Sequence, residues 1–133
     1  IRKADAFWQA CGAGISHMPA AMHDEIFAAV SHLPHLLAFA LVADIAQRPN
    51  ARQLFGFAAG GFRDFSRIAG SSPEMWRDIS LANRNALIAE LDEYLDELEA
   101  ARSAIAAADG DPLSAMFRRA RDAPARRLVP ARS

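Results

Sequence analysis

From Leu33 to Ala46 almost every residue is apolar, with His35 and Asp44 the only ionisable side chains. A run of Leu, Ala and Phe without glycine favours a helix. A helix that is apolar nearly all round its circumference has to be buried on every side. About fourteen apolar residues are too few to cross a bilayer. The stretch is therefore expected to be a central core helix and not a membrane span. At its mouth, Ser31-His32-Leu33-Pro34-His35 places two imidazoles three residues apart on one helical face. Polar rings at so apolar a position cost free energy unless they find partners, which makes them the first candidates for function. Pro34 should kink or break the helix near Val30–Ser31 and free backbone carbonyls beside the histidines.

Around this stretch the chain reads as helical. With 52% hydrophobic and 23% charged residues over 133 positions, a disordered chain is excluded and one ordinary domain is expected. Residues 1–11 read as the end of a helix, and 13–18 as one short strand before Pro19. One helix and one strand cannot build a sheet, so residues 1–18 are expected to be the last unit of a truncated α/β domain. The absence of an initiator Met fits a piece of a longer protein. Pro19 suits a helix start, and Met22, Ile26, Phe27, Val30 and Leu33 continue at helical spacing. A short helix is expected over 62–69. Ser72, Pro73 and Glu74 give a strong helix start.

The helix they open is expected to run from Pro73 to Ala107. Along it Leu87, Leu91, Tyr94, Leu98, Ala101 and Ile105 form a coiled-coil-like seam, widened by Ile88 and Leu95. So long a helix in so small a chain points to a homodimer. A turn at Asp109–Pro112, a helix over 113–121 and a frayed tail over 123–133 complete the reading. Residues 19–122 thus form an all-α dimerisation domain.

Net charge of −1 argues against a nucleic-acid binder. Glu90 to Glu99 hold six acids and no base, and Arg118 to Arg132 six arginines and one acid; both read as solvated surface. Cys11 is the one cysteine, and no signal peptide is visible, which together fit the cytoplasm.

Three readings of His32 and His35, with His17, His23, Asp24 and Glu25 nearby, stay open: a metal site, structural histidines, or a pair that binds an anionic substrate. Two histidines fall short of the three or four convergent ligands that zinc wants, so no metal is expected. Arg67, between Phe65 and Ile68-Ala69, is a guanidinium on a mostly apolar segment, suited to gripping a carboxylate. Asp64 could orient it. No Gly-x-Gly-x-x-Gly turn, phosphate loop or Ser/His/Asp order occurs.

Ser31-His32-Leu33-Pro34-His35, then Gly60-Gly61-Phe62-Arg63-Asp64-Phe65-Ser66-Arg67-Ile68-Ala69, then Ser72-Pro73-Glu74-Met75-Trp76-Arg77-Asp78-Ile79 and Asn83 together resemble the C-terminal half of the prephenate dehydrogenases, from about Ala6 to Leu98. The resemblance implies a missing Rossmann domain that binds NAD or NADP and holds the catalytic histidine, joined to a helical dimerisation domain. It implies oxidative decarboxylation of prephenate to 4-hydroxyphenylpyruvate, or of arogenate in close relatives, in tyrosine biosynthesis.

Residue by residue, the resemblance gives Arg67 the substrate carboxylate. It makes His32, His35 and His23 pocket histidines, and Ser31 and Asp64 members of the hydrogen-bond network. Gly60 and Trp76 would reach or gate the pocket of the partner subunit. Ser66 stands where Thr is usual, and Pro19-Ala20-Ala21-Met22 replaces a more polar helix start. Two other readings are a non-catalytic dimerisation or ligand-sensing module, and a helical enzyme like chorismate mutase.

Overall fold

The computed structural model describes residues 2–123, and among them all regular structure is helical. In chain order the helices are α1 (Arg2–Ala10), α2 (Ala20–Phe27), α3 (Leu33–Ala46), α4 (Ala51–Gly56), α5 (Gly60–Ser66), α6 (Pro73–Ala82), α7 (Arg84–Ala106) and α8 (Gly110–Asp122). The strand expected over 13–18 does not form: these residues have no regular structure, and no other strand among the described residues offers them a ladder. The frayed tail expected past Ala123 lies outside the described residues.

Pro34 does not break the central helix. The chain passes from α2 to α3 through one π-helical turn, Ala28–His32, so that 20–46 is a single helical run. The widened turn absorbs the missing Pro34 N–H and the clash of its ring. This run of 27 residues, in which an 18-residue window has mean hydropathy 1.9, is long and apolar enough to cross a membrane. The argument from fourteen residues therefore fails, because it assumed a break at the proline. What favours a helix of a packed domain is its contacts: α3 lies against α4, α5 and the 3-10 turn Arg67–Gly70, and the π turn lies against α6.

Burial on every side is also corrected. Only Leu33 and Ala38 of α3 are buried, and Leu41 is exposed. The neighbouring helices cover part of its circumference and leave the rest bare. Among the described residues the buried apolar side chains are Ala28, Leu33, Ala38, Leu87 and Ala104, three of them alanines. Such a core is thin for this much apolar sequence.

The single long helix expected from Pro73 is two helices. Ser72 caps α6 by accepting from the Met75 N–H at 3.3 Å, and Pro73 fills its first turn. The helical path is interrupted at Asn83 (φ −104°, ψ 30°), and α7 begins at Arg84. Asn83 leaves helical geometry because its side chain is committed elsewhere, as described below.

Two compact units divide the chain, Ile1–Glu90 and Leu91–Ser133. In the second, α7 ends with Ala108 in the left-handed region (φ 52°), where the Asp109 N–H reaches the Ala104 carbonyl at 2.9 Å. Asp109 then caps α8 by accepting from the Asp111 N–H at 3.1 Å. Arg119 donates to Glu97 at 2.6 Å, so part of the basic run answers part of the acidic one. Both side chains are exposed and the pair adds little stability.

Candidate functional site

The π turn gathers the site. The Ser31 carbonyl lies at the end of this widened turn, and the His35 ring engages it: Nδ1 lies 2.8 Å from the Ser31 oxygen. Ser31 thus contributes its backbone oxygen to the cluster.

On its other side His35 stacks on Trp76, with ring centroids 3.6 Å apart and planes inclined by 18°. His32 meets the same indole edge-on at 6.2 Å. Trp76 therefore stands against the histidines of its own chain. Its indole Nε1 is buried without a hydrogen-bond partner among the described residues. Burying an unpaired donor costs about 1–3 kcal/mol, so ring stacking and packing hold this side chain in place.

Asn83 completes the cluster. Its Nδ2 lies 2.8 Å from the Asp24 carbonyl oxygen and 3.1 Å from His32 Nδ1, tying α2 and the π turn to the end of α6. Sequence reading carried Asn83 only as part of a motif and gave it no role. The available signal was its spacing: seven residues after Trp76, it falls on the same helical face.

His23 pairs with Asp24 at 3.1 Å and stacks on Phe27, one turn before His32. Gly60 opens α5, and Asp64 and Arg67 follow on α5 and the 3-10 turn, all exposed. The suggested Asp64–Arg67 pair is absent among the described residues, and no hydrogen bond or ring contact there joins either residue to the histidines. Arg63 is used structurally, donating from Nε to the Ala58 carbonyl at 3.1 Å. Two hollows flank the cluster. An apolar groove of about 330 Å³ is lined by Leu36, Phe39, Trp76 and Leu81. A polar hollow of about 530 Å³ is lined by Asp24, Glu25, Asn83 and Arg84. Among the described residues no group of three or more His, Cys, Asp or Glu could hold a metal ion.

Burial is the main cause that holds the His32 pKa below its ordinary value. The charges of His23 and His35 act in the same direction, and the Asp24 carboxylate opposes them. In the folded chain His32 thus binds its proton less readily than in the unfolded chain, whose pKa is about 6.5. Between those two values the unfolded state holds more protons, so stability rises with pH. It is complete above the unfolded value and is lost as pH falls through the folded one. Thermal melts between pH 8 and pH 5 are expected to show this loss, and His32→Gln is expected to flatten it. A variant as acid-sensitive as the parent would assign the slope to other groups.

The comparisons with known proteins agree on one family. The family described as "Prephenate dehydrogenase, dimerization domain" matches residues 19–119. A cyclohexadienyl dehydrogenase of Zymomonas mobilis is 37% identical over 119 residues, covering 88% of this chain and 41% of its own length. A prephenate dehydrogenase of Bacillus subtilis is 41% identical over 101 residues, covering 75% of this chain and 27% of its own. Among solved structures, prephenate dehydrogenase from A. aeolicus in complex with hydroxyphenyl propionate and NAD+ superposes with TM-score 0.80 at 33% identity, over 90% of this chain and 42% of that one. The arogenate dehydrogenase of Synechocystis superposes with TM-score 0.77 at 26% identity, over 89% and 44%. The chain spans less than half the length of these relatives. Its all-helical fold and its match over residues 19–119 make it a member of the prephenate dehydrogenase family, in the part that forms the dimerization domain.

Proposed function

We propose that this chain is the dimerising and substrate-binding part of a cytoplasmic NAD- or NADP-dependent dehydrogenase acting on prephenate or arogenate. The observation that carries the reading is the cluster at the π turn, where His32 and His35 are held against Trp76 and Asn83 on an apolar helix. Prephenate is a dianion, and its recognition needs cationic and hydrogen-bonding groups placed beside apolar walls. In this reading Arg67 grips a carboxylate, and His32 and His35 bond substrate oxygens. Trp76 covers the ring, with Ser31, His23 and Asp64 in the surrounding polar network and Gly60 at the pocket rim. The described residues do not fit a dinucleotide: they contain neither a strand nor a Gly-x-Gly-x-x-Gly turn. This chain's contribution is binding and orientation, which bring the reacting carbon to a fixed place and exclude water.

Homodimerisation belongs to the same reading. The thin core and the bare faces of α3 and α7 need a second covering surface, and a second copy supplies one.

The test uses the complete enzyme that contains this sequence. It is expected to reduce NAD or NADP with prephenate or arogenate, and His32→Ala is expected to raise the Michaelis constant about tenfold, the worth of one hydrogen bond to a charged group. Absence of turnover with both acids by enzyme that still binds the dinucleotide would overturn the proposal. So would turnover by the 133-residue chain alone.

A further inference from the structure

The hydrogen bonds around the two histidines specify more than their positions. The Asp24 carbonyl can only accept, so the amide atom of Asn83 that faces it at 2.8 Å is the NH2 group. That same nitrogen lies 3.1 Å from His32 Nδ1, and an NH2 group can only donate. His32 Nδ1 must therefore offer a lone pair, and the proton of the neutral ring sits on Nε2. The Ser31 carbonyl imposes the opposite on His35: its oxygen, 2.8 Å from Nδ1, accepts, so Nδ1 carries the proton and the neutral ring has a bare Nε2.

We propose that His32 and His35 are fixed in opposite tautomers, with Asn83 the positioning residue for His32 and the Ser31 carbonyl that for His35. Neither Nε2 has a partner among the described residues. The motif thus presents one N–H donor from His32 and one lone-pair acceptor from His35. A ligand that satisfies both carries an anionic or carbonyl oxygen for His32 and a hydroxyl, or a bound water, for His35. An organic acid that also bears a hydroxyl group fits this pattern, whereas a ligand with two acceptors would leave the His35 lone pair facing another lone pair. This assignment rests on the reading of the two histidines as pocket residues, and it selects which substrate atoms they meet. His23, Asp24 and His35 are the ionisable groups that act on His32. Of these, only the Asp24 carboxylate favours its protonation.

The test reads the tautomers directly, without substrate. In a long-range proton–nitrogen correlation spectrum of the 15N-labelled chain above pH 8, a bare ring nitrogen resonates far downfield of a protonated one. Each ring is identified by the signal lost in its His→Gln variant. His32 is expected to show a bare Nδ1 and a protonated Nε2, and His35 the reverse. Asn83→Asp, isosteric but acceptor-only, is expected to invert His32 alone and to raise its titration midpoint. A wild-type His32 protonated at Nδ1, or averaged between both forms, overturns the proposal; so does a folded Asn83→Asp chain that keeps the wild-type pattern. Should that variant not fold, the wild-type spectrum decides by itself. Loss of the substrate effect of His32→Ala in the complete enzyme would strike the functional reading and leave the tautomers standing.

Discussion

Replacing Arg67 with Ala in the complete enzyme is expected to weaken substrate binding by roughly 30- to 700-fold, or about 2–4 kcal/mol. Folding and assembly should be nearly unchanged. The second expectation follows from its place in this chain: Arg67 is exposed at the start of a 3-10 turn and holds no ion pair among the described residues. Truncating such a side chain changes stability by about 0.5 kcal/mol or less. The first follows from the partner that a substrate carboxylate supplies. A guanidinium gripping a carboxylate with two parallel bonds, shielded by aromatic and apolar neighbours, is among the strongest polar contacts available to a protein. The size of the effect separates two situations. An exposed ion pair contributes at most about 1 kcal/mol, or fivefold. A loss below that bound, measured as the dissociation constant of prephenate or a hydroxyphenyl acid, would put Arg67 outside the pocket.

The second large effect concerns mass. Light scattering behind a sizing column is expected to give this chain a mass of twice 14.4 kDa, and Leu95→Glu is expected to halve it. Val30 at 69%, Ile105 at 66% and Leu95 at 51% exposure are values more typical of lysine than of aliphatic side chains. Along α7 the apolar stripe is split: Leu87 is buried and Leu91 and Tyr94 are half-buried, while Ile88, Leu95, Leu98 and Ile105 face outward. A soluble monomer rarely leaves so extended an apolar surface in water, and an obligate dimer buries it in an interface that resembles a core cut in half. A clean monomer at micromolar concentration would remove the second copy from the proposal and assign this surface to another partner.

Much of this was legible in the sequence, and the exceptions have identifiable causes. The apolar run of α3, the cap at Ser72 and the turn at Asp109 are local signals, carried by residues whose chemistry acts within a few positions. The break at Asn83 was not legible, because what ends the helix there is a bond to Asp24, 59 residues away in sequence. The proline was read correctly as a disturbance and wrongly as a break. A rule based on a missing N–H cannot tell a kink from an absorbed bulge. Burial of the central helix was overstated because hydropathy says that a face avoids water and is silent on which chain covers it. At the site, His32 and His35 stood out as polar residues on an apolar helix. Trp76 was read by resemblance as a gate of the partner's pocket, and its stacking on His35 of the same chain had no local signal; Asn83 was passed over because asparagine titrates nowhere in the accessible range.

The π turn at Ala28–His32 also bears on how this stretch tolerates changes in length. In an unbroken α-helix, adding or removing one residue turns everything downstream by about 100° and carries its apolar face away from its partners. A π turn is the form a helix takes when it has already absorbed one such addition locally. Losing one residue between Ala28 and Val30 would let the run close into a regular α-helix while Leu33 and Ala38 kept their angular phase against the rest of the domain. The domain would survive, and the π-helical setting of Ser31, whose carbonyl the His35 ring engages, would be lost. Chain length in this one turn is therefore free with respect to architecture and fixed with respect to the His35 ring, which separates the constraint of folding from the constraint of chemistry at a single point in the chain.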